Sequence, residues 1–259
     1  MTPGGPSLPE AEALYRRLAF TEFCEDLMLG LNIGFYRTFA VPEIAAVLAT
    51  TGQMTGQTEL RAKTTGQMMY RLFRDGLDSP SGARTVSALN NVHARWQISN
   101  DAFRYVLACF DVAPMRWCDA YGWRATTAAE KDASHVFYCA LADRMGIHRV
   151  PLAWGAFAAW MDDYENGFFA RTPEATALWA ATSGLLAQRV PAFLVPLVRS
   201  AAGALLDPPL RRALGVRRPP TAVSALAAGG MHIRARRLRH LHSDPGYRPA
   251  LPDELRELG

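Results

Sequence analysis

Apolar side chains recur at spacings of three and four residues along almost the whole chain, and no segment alternates in steps of two. The first spacing lines up one face of a helix, whereas a half-buried strand needs a period of two. The pattern therefore predicts an all-α protein. Helices are expected over about 9–30, 41–51, 59–76, 81–97, 101–120, 127–145, 151–169, 173–187, 190–206 and 221–241. The punctuation agrees. Thr127-Ala-Ala-Glu130 fits a capping box. Thr172-Pro173 sets a capping hydroxyl before a proline at the first helical position, and Ser99 or Asn100 can each cap the helix beginning near Asp101. Gly76, Gly122, Gly146 and the pair Pro219-Pro220 mark stops.

A hydrophobic share of 49% in 259 residues suffices for one large core or two small ones. The expected organisation is a loose N-terminus over 1–8, a single globular domain of about ten helices within 9–220, and a basic helix and tail over 221–259. The N-terminus lacks a charged segment followed by an apolar run, so no signal peptide is expected. No stretch approaches about eighteen uninterrupted apolar residues, so no membrane-spanning helix is expected. Cys24, Cys109, Cys118 and Cys139 form no CxxC pair and sit in apolar helical contexts, which reads as free thiols in a reducing, cytoplasmic setting.

The net charge is +4, and eight arginines fall between Leu210 and His240. Basic residues confined to one tail, with no recognition motif beside them, argue against nucleic-acid binding. The segment "MHIRARRLRHLH" carries Ile233, Leu238 and Leu241 among its arginines. It reads as a solvated basic helix, with a weak contact to an anionic membrane surface as the alternative.

One polar residue interrupts the apolar stripe. On the helix expected over 81–97, Val86, Leu89, Val92, His93 and Trp96 share a broad face, so His93 points inward. Position alone allows a core histidine bonded to a carbonyl or a metal ligand. The chain has no HExxH and no Glu-x-x-His pair, and His135 has no obvious carboxylate companion. A lone inward imidazole suits haem, whose iron needs one protein ligand and an apolar slot.

Four blocks in order carry a resemblance: "FYRTFAVPEIAAVLATTG", "RAKTTGQMMYRLFRDGLDS", "NNVHARWQISNDAFRYVLACFDVAPMRWCDAYGWRATTAAE" and "ADRMGIHRVP". From about Leu31 to Pro220 the chain resembles the MpaB-type oxygenases, a haem family related to the latex-clearing rubber oxygenases. The resemblance implies an all-α fold enclosing haem b, with His93 as the axial iron ligand. It implies Arg61 and Thr65 on the distal side, from the "RAKTT" element, and Thr127 in the haem pocket. Thr127 also remains the N-cap read above. Arg104 and Tyr105 are candidates to meet a propionate.

The departures bear on substrate. Rubber oxygenases carry a lysine just before the distal threonine, where this chain has Thr64, and flank the axial histidine with arginines, where it has Asn90 and Gln97. Glu43 lies in the region of their proposed base but is not assigned that role. The resemblance therefore implies a haem-dependent oxygenase of an apolar or unsaturated small molecule, prenyl or aromatic, using O2 or peroxide. Two other classes stay open: a haem-binding carrier or sensor without turnover, and a helical interaction protein that has lost haem.

Overall fold

The computed structural model describes residues 5–50, 58–188, 195–244 and 246–249, with the side chains of 58–63, 184–188 and 195–197 outside that description. The described residues form twelve α-helices and one π-helical turn, with no strand among them. The helices are α1 (Leu8–Arg17), α2 (Cys24–Thr38), α3 (Pro42–Thr50), α4 (Thr58–Asp75), α5 (Pro80–His93), α6 (Asn100–Tyr121), α7 (Ala128–Met145), α8 (Trp154–Phe168), α9 (Pro173–Gln188), α10 (Val195–Ala204), α11 (Pro208–Ala213) and α12 (Thr221–His242).

The expected helix over 9–30 is three elements. After α1 the chain widens into a π turn over Leu18–Glu22, where the Phe23 amide reaches back five residues to the Leu18 carbonyl at 2.9 Å. Phe23 then leaves helical geometry, at φ −132° and ψ 35°, and α2 runs on to Thr38. The Phe23 ring stacks on Trp123 at 6.1 Å between centroids, and the Trp123 indole donates to the Glu22 carbonyl at 2.8 Å. The break thus follows from a tertiary anchor.

Helix α6 is the central element. It packs along α2 and also meets α7, α8 and α12. The α2–α6 contact depends on Gly30 and Gly34, four residues apart on one face. A Cβ on Gly34 would stand 2.1 Å from the Cys109 carbonyl oxygen, and one on Gly30 would stand 2.5 Å from the Cα of Pro114. Around this pair lies the main core, with Tyr15, Leu27, Phe73, Tyr105, Val112, Phe137, Tyr138 and Phe157 fully buried or nearly so. A second cluster joins Phe39 and Ala45 to Leu178 and Trp179 of α9 and to Leu210 and Leu214 around α11.

Local signals placed several ends correctly. Thr127 and Glu130 make the capping box of α7, and Gly146 closes that helix at φ +68°. Ser99 caps α6 by accepting from the Ala102 amide at 3.2 Å, and the Thr172 hydroxyl accepts from Ala175 at 3.1 Å. Asn100 instead pairs with His148 through both its amide groups. Helix α1 begins at Leu8, where Ser7 and Glu10 close a capping box. Residues 1–4 and 250–259 of the expected loose ends lie outside the described residues.

Candidate functional site

Helices α4 and α5 are joined by the four residues 76–79 and pack on each other. Short connections of this kind join antiparallel neighbours. Ser79 caps α5 by accepting from Gly82 at 2.8 Å, with Pro80 at its first position. Rising about 1.5 Å per residue, α5 carries His93 about 20 Å from the turn, while α4 carries Thr65 about 15 Å and Arg61 about 21 Å from it. Measured along their own helices, His93 and Arg61 stand at comparable distances from the turn, and Thr65 is about one helical turn closer to it. Thr65 is half-buried and Thr64 exposed, while the side chains of Arg61 and Lys63 lie outside the described residues.

His93 is the last residue of α5, where the expected helix ran on to 97. The chain leaves the helix through tight turns, with the Trp96 amide on the His93 carbonyl at 3.0 Å. The turn is needed because α6 begins seven residues later, at a cap fixed by Glu43. That carboxylate accepts from the Ser99 amide at 2.7 Å and the Ser99 hydroxyl at 2.9 Å. The predicted broad face is therefore broken. Val86 is buried, but Val92 is 38% exposed and Trp96 lies off the helix. His93 itself is half-buried, its ring edge-on to Phe103 with centroids 5.2 Å apart. One turn before it, Asn90 donates to the Arg144 carbonyl at 3.0 Å and ties α5 to the end of α7.

Thr127 stands at the opposite end of α7, about 25 Å along the axis from Arg144, and the structure does not bring it against His93. Its hydroxyl accepts from the Glu130 amide at 3.2 Å, and the Glu130 carboxylate accepts from its amide at 2.8 Å. Arg104 and Tyr105 are committed elsewhere. The Arg104 guanidinium donates to the Arg149 carbonyl at 2.9 Å, pairs with Asp101 and lies 4.0 Å over the Trp160 ring. Tyr105 is fully buried and donates to Glu165 at 3.0 Å.

A second constellation escaped sequence reasoning. His135 does have a carboxylate companion, 24 residues earlier on α6: its Nδ1 is 2.7 Å from Asp111. Ser134 donates to the other Asp111 oxygen at 2.6 Å, and the His135 Nε2 donates to the Pro151 carbonyl at 2.8 Å. Burial opposes charge on His135, but the hydrogen bonds and charges of Asp111 and Cys139 outweigh it and push its pKa up to about 10. Burial also raises the Asp111 carboxyl, against the pull of His135 and Ser134. Both imidazole nitrogens are thus engaged, and His135 is not poised as an iron ligand. The available signal was an acidic residue, Asp111, inside the apolar run "VLACFDVAPMRW".

Among the described residues no three of His, Cys, Asp and Glu converge as a metal site, and no helix is long and apolar enough to cross a membrane. The model of one protein family, described as "ER-bound oxygenase mpaB/B'/Rubber oxygenase, catalytic domain", matches residues 25–241. The chain is 26% identical over 250 residues to the ER-bound oxygenase mpaB' of Penicillium brevicompactum, covering 90% of this chain and 59% of that protein. It is 25% identical to the ER-bound oxygenase mpaB of the same fungus, over 64% of this chain and 47% of that protein. To the mpaB of Penicillium roqueforti it is 22% identical, over 79% of this chain and 75% of that protein. The chain therefore spans about half to three-fifths of the length of the two Penicillium brevicompactum proteins.

Proposed function

The chain belongs to the mpaB/B' and rubber oxygenase catalytic-domain family, and from that premise we propose that it is a haem b-dependent oxygenase acting on an apolar or unsaturated small molecule, prenyl or aromatic, with O2 or peroxide as oxidant. The observation that supports the reading is the half-buried imidazole of His93 at the end of α5, within the residues that the family model matches. The donor set suits haem, because a single imidazole is too little for a bare zinc or di-iron site but is what a porphyrin-held iron asks of a protein.

Within this reading His93 binds the iron, and Phe103 limits the rotation of its ring. When bound, haem supplies the iron at which the oxidant is activated. Arg61 provides positive charge against negative charge developing on the oxidant, and Thr65 donates or relays a proton. Phe103, Leu89 and Ile98, packed on the core, keep water from that region. Thr127 contributes as the cap of α7. Glu43 is tied to Ser99 and is not assigned the role of a base.

Support for a weak peripheral membrane contact comes from α12, where exposed Leu226 and Ile233, two turns apart, precede exposed Arg236 and Arg237. The test of the enzymatic reading is turnover. Haem-loaded protein should consume O2 or peroxide with a prenyl or aromatic alkene, and Arg61→Ala should keep haem but slow turnover at least tenfold, about 1.4 kcal/mol in barrier. Haem retention with no turnover across such compounds would leave a carrier or sensor.

A further inference from the structure

We infer that Cys139 is a reactive thiol, presented by His135 and Asp111 at the wall of a cleft, which forms a mixed disulfide with small disulfide compounds. The inference concerns a site apart from His93 and does not rest on the haem reading.

Cys139 and His135 stand one turn apart on the same face of α7, with Sγ 3.4 Å from the imidazole Nε2. The Pro151 carbonyl can only accept, so Nε2 carries a hydrogen, and that hydrogen is placed between the carbonyl oxygen and the sulfur. Asp111 holds the far nitrogen of the ring, and Phe157, 5.6 Å away, packs beside it. Because Nε2 already carries its hydrogen, His135 meets the sulfur as a hydrogen-bond donor held in place by Asp111, not as its base. The loop that delivers Pro151 is itself fixed. Arg149 takes a left-handed conformation at φ +63°, its carbonyl accepts from Arg104, and Asn100 pairs with His148.

Cys139 and His135 both line a cleft of about 710 Å³, together with Asp132, Asp143, His148 and Arg149. The other three cysteines are unlike it. Cys24, Cys109 and Cys118 are buried, and burial pushes their thiols up, Cys24 to about 12. Holding His135 in place accounts for Asp111 and the Pro151 carbonyl, but it does not account for a thiol at the same nitrogen on an open cleft.

In the step, Cys139 gives its proton to solvent and its thiolate attacks one sulfur of R–S–S–R. The Cys139 S–S bond forms, the S–S bond of the reagent breaks, and the departing thiolate takes a proton from water. Two electrons pass from Cys139 to the leaving sulfur, so no further oxidant is needed. The His135 N–H stabilises the negative charge on Sγ before attack.

The experiment treats the full chain, at neutral pH, with an aromatic disulfide whose leaving thiolate is coloured, and maps the modified peptide by mass spectrometry. A half-buried thiol without assistance reacts more slowly in the folded chain than in urea-unfolded chain. Cys139 should react at least tenfold faster folded than unfolded, Cys139→Ser should lose the fast phase, and His135→Gln should slow it at least tenfold. A folded rate at or below the unfolded one, or a fast phase that maps to another cysteine, overturns the inference. Should His135→Gln fail to fold, the folded-to-unfolded rate ratio of the natural chain decides.

Discussion

The rings of His93 and Phe103 meet edge-on, 5.2 Å apart and 71° between planes, at the point where α5 ends and α6 has just begun. The contact sets which way the imidazole faces from a helix terminus, where backbone constraint is weakest. Phe103→Ala should cost about 1–2 kcal/mol of stability, the range for losing an aromatic pair and part of a core contact. It should also weaken haem retention without abolishing it. Urea unfolding and haem titration of the variant check both, and unchanged haem affinity would remove Phe103 from the positioning of His93.

Gly34→Ala should be among the most damaging single-methyl changes. Its Cβ would meet a backbone oxygen, which cannot turn aside as a side chain can. The expected loss is about 3 kcal/mol or more. At Gly155 an added Cβ meets nothing within 4 Å, so Gly155→Ala should be neutral or gain up to about 1 kcal/mol from helix propensity. Equal melting temperatures for the two variants would contradict the tight α2–α6 contact.

Arg37 joins three helices, α2, α6 and α8, to the start of a fourth, α11. Its Nε donates to Glu165 at 2.7 Å, its terminal nitrogens to Glu165 and Asp207, and Tyr105 donates to the same Glu165. Arg37→Met would leave Glu165 buried without its cation, at a cost of about 3–5 kcal/mol. The double change Arg37→Met with Glu165→Gln should recover part of that loss. A double-mutant cycle by chemical denaturation measures it, and no recovery would mean that packing, not charge, makes Arg37 important.

The His135–Asp111 pair predicts a pH dependence of stability. The folded pKa of His135, about 10, lies above the ordinary value of 6.5. A raised folded pKa gives stability that is fully present below 6.5 and is lost as pH rises through about 10. Urea midpoints should therefore fall between about pH 6.5 and 10, and His135→Gln should flatten that slope. A midpoint constant over the interval, or a slope unchanged in the variant, would contradict the charged pair.

Most helices were legible because amphipathic spacing and caps are local. The Thr127–Glu130 box needs only residues three apart, and it forms as expected. The failures share a cause. The break at Phe23 depends on Trp123, a hundred residues on, and the end of α5 at His93 goes with the Glu43–Ser99 cap, neither of which periodicity registers. The six-residue α11 is too short to show a period. His93 and Thr65 were readable as candidates through the resemblance, whereas Asp111 as the partner of His135 was not, since the pairing exists only once α6 and α7 are packed.

The most direct measurement is the absorption spectrum of the purified protein and of His93→Ala. The account predicts a Soret band from non-covalent haem b in the natural chain. With Thr64 where rubber oxygenases carry lysine, it also predicts a high-spin ferric form that binds imidazole or cyanide readily. Lys63 is two residues from both Arg61 and Thr65, about 200° around the helix from each, so Lys63→Ala should leave the spectrum unchanged. His93→Ala should lose the band or shift it strongly, and lose the stability linked to haem binding. A His93→Ala protein that keeps the native Soret band and spin state would contradict the assignment of His93 as the iron ligand.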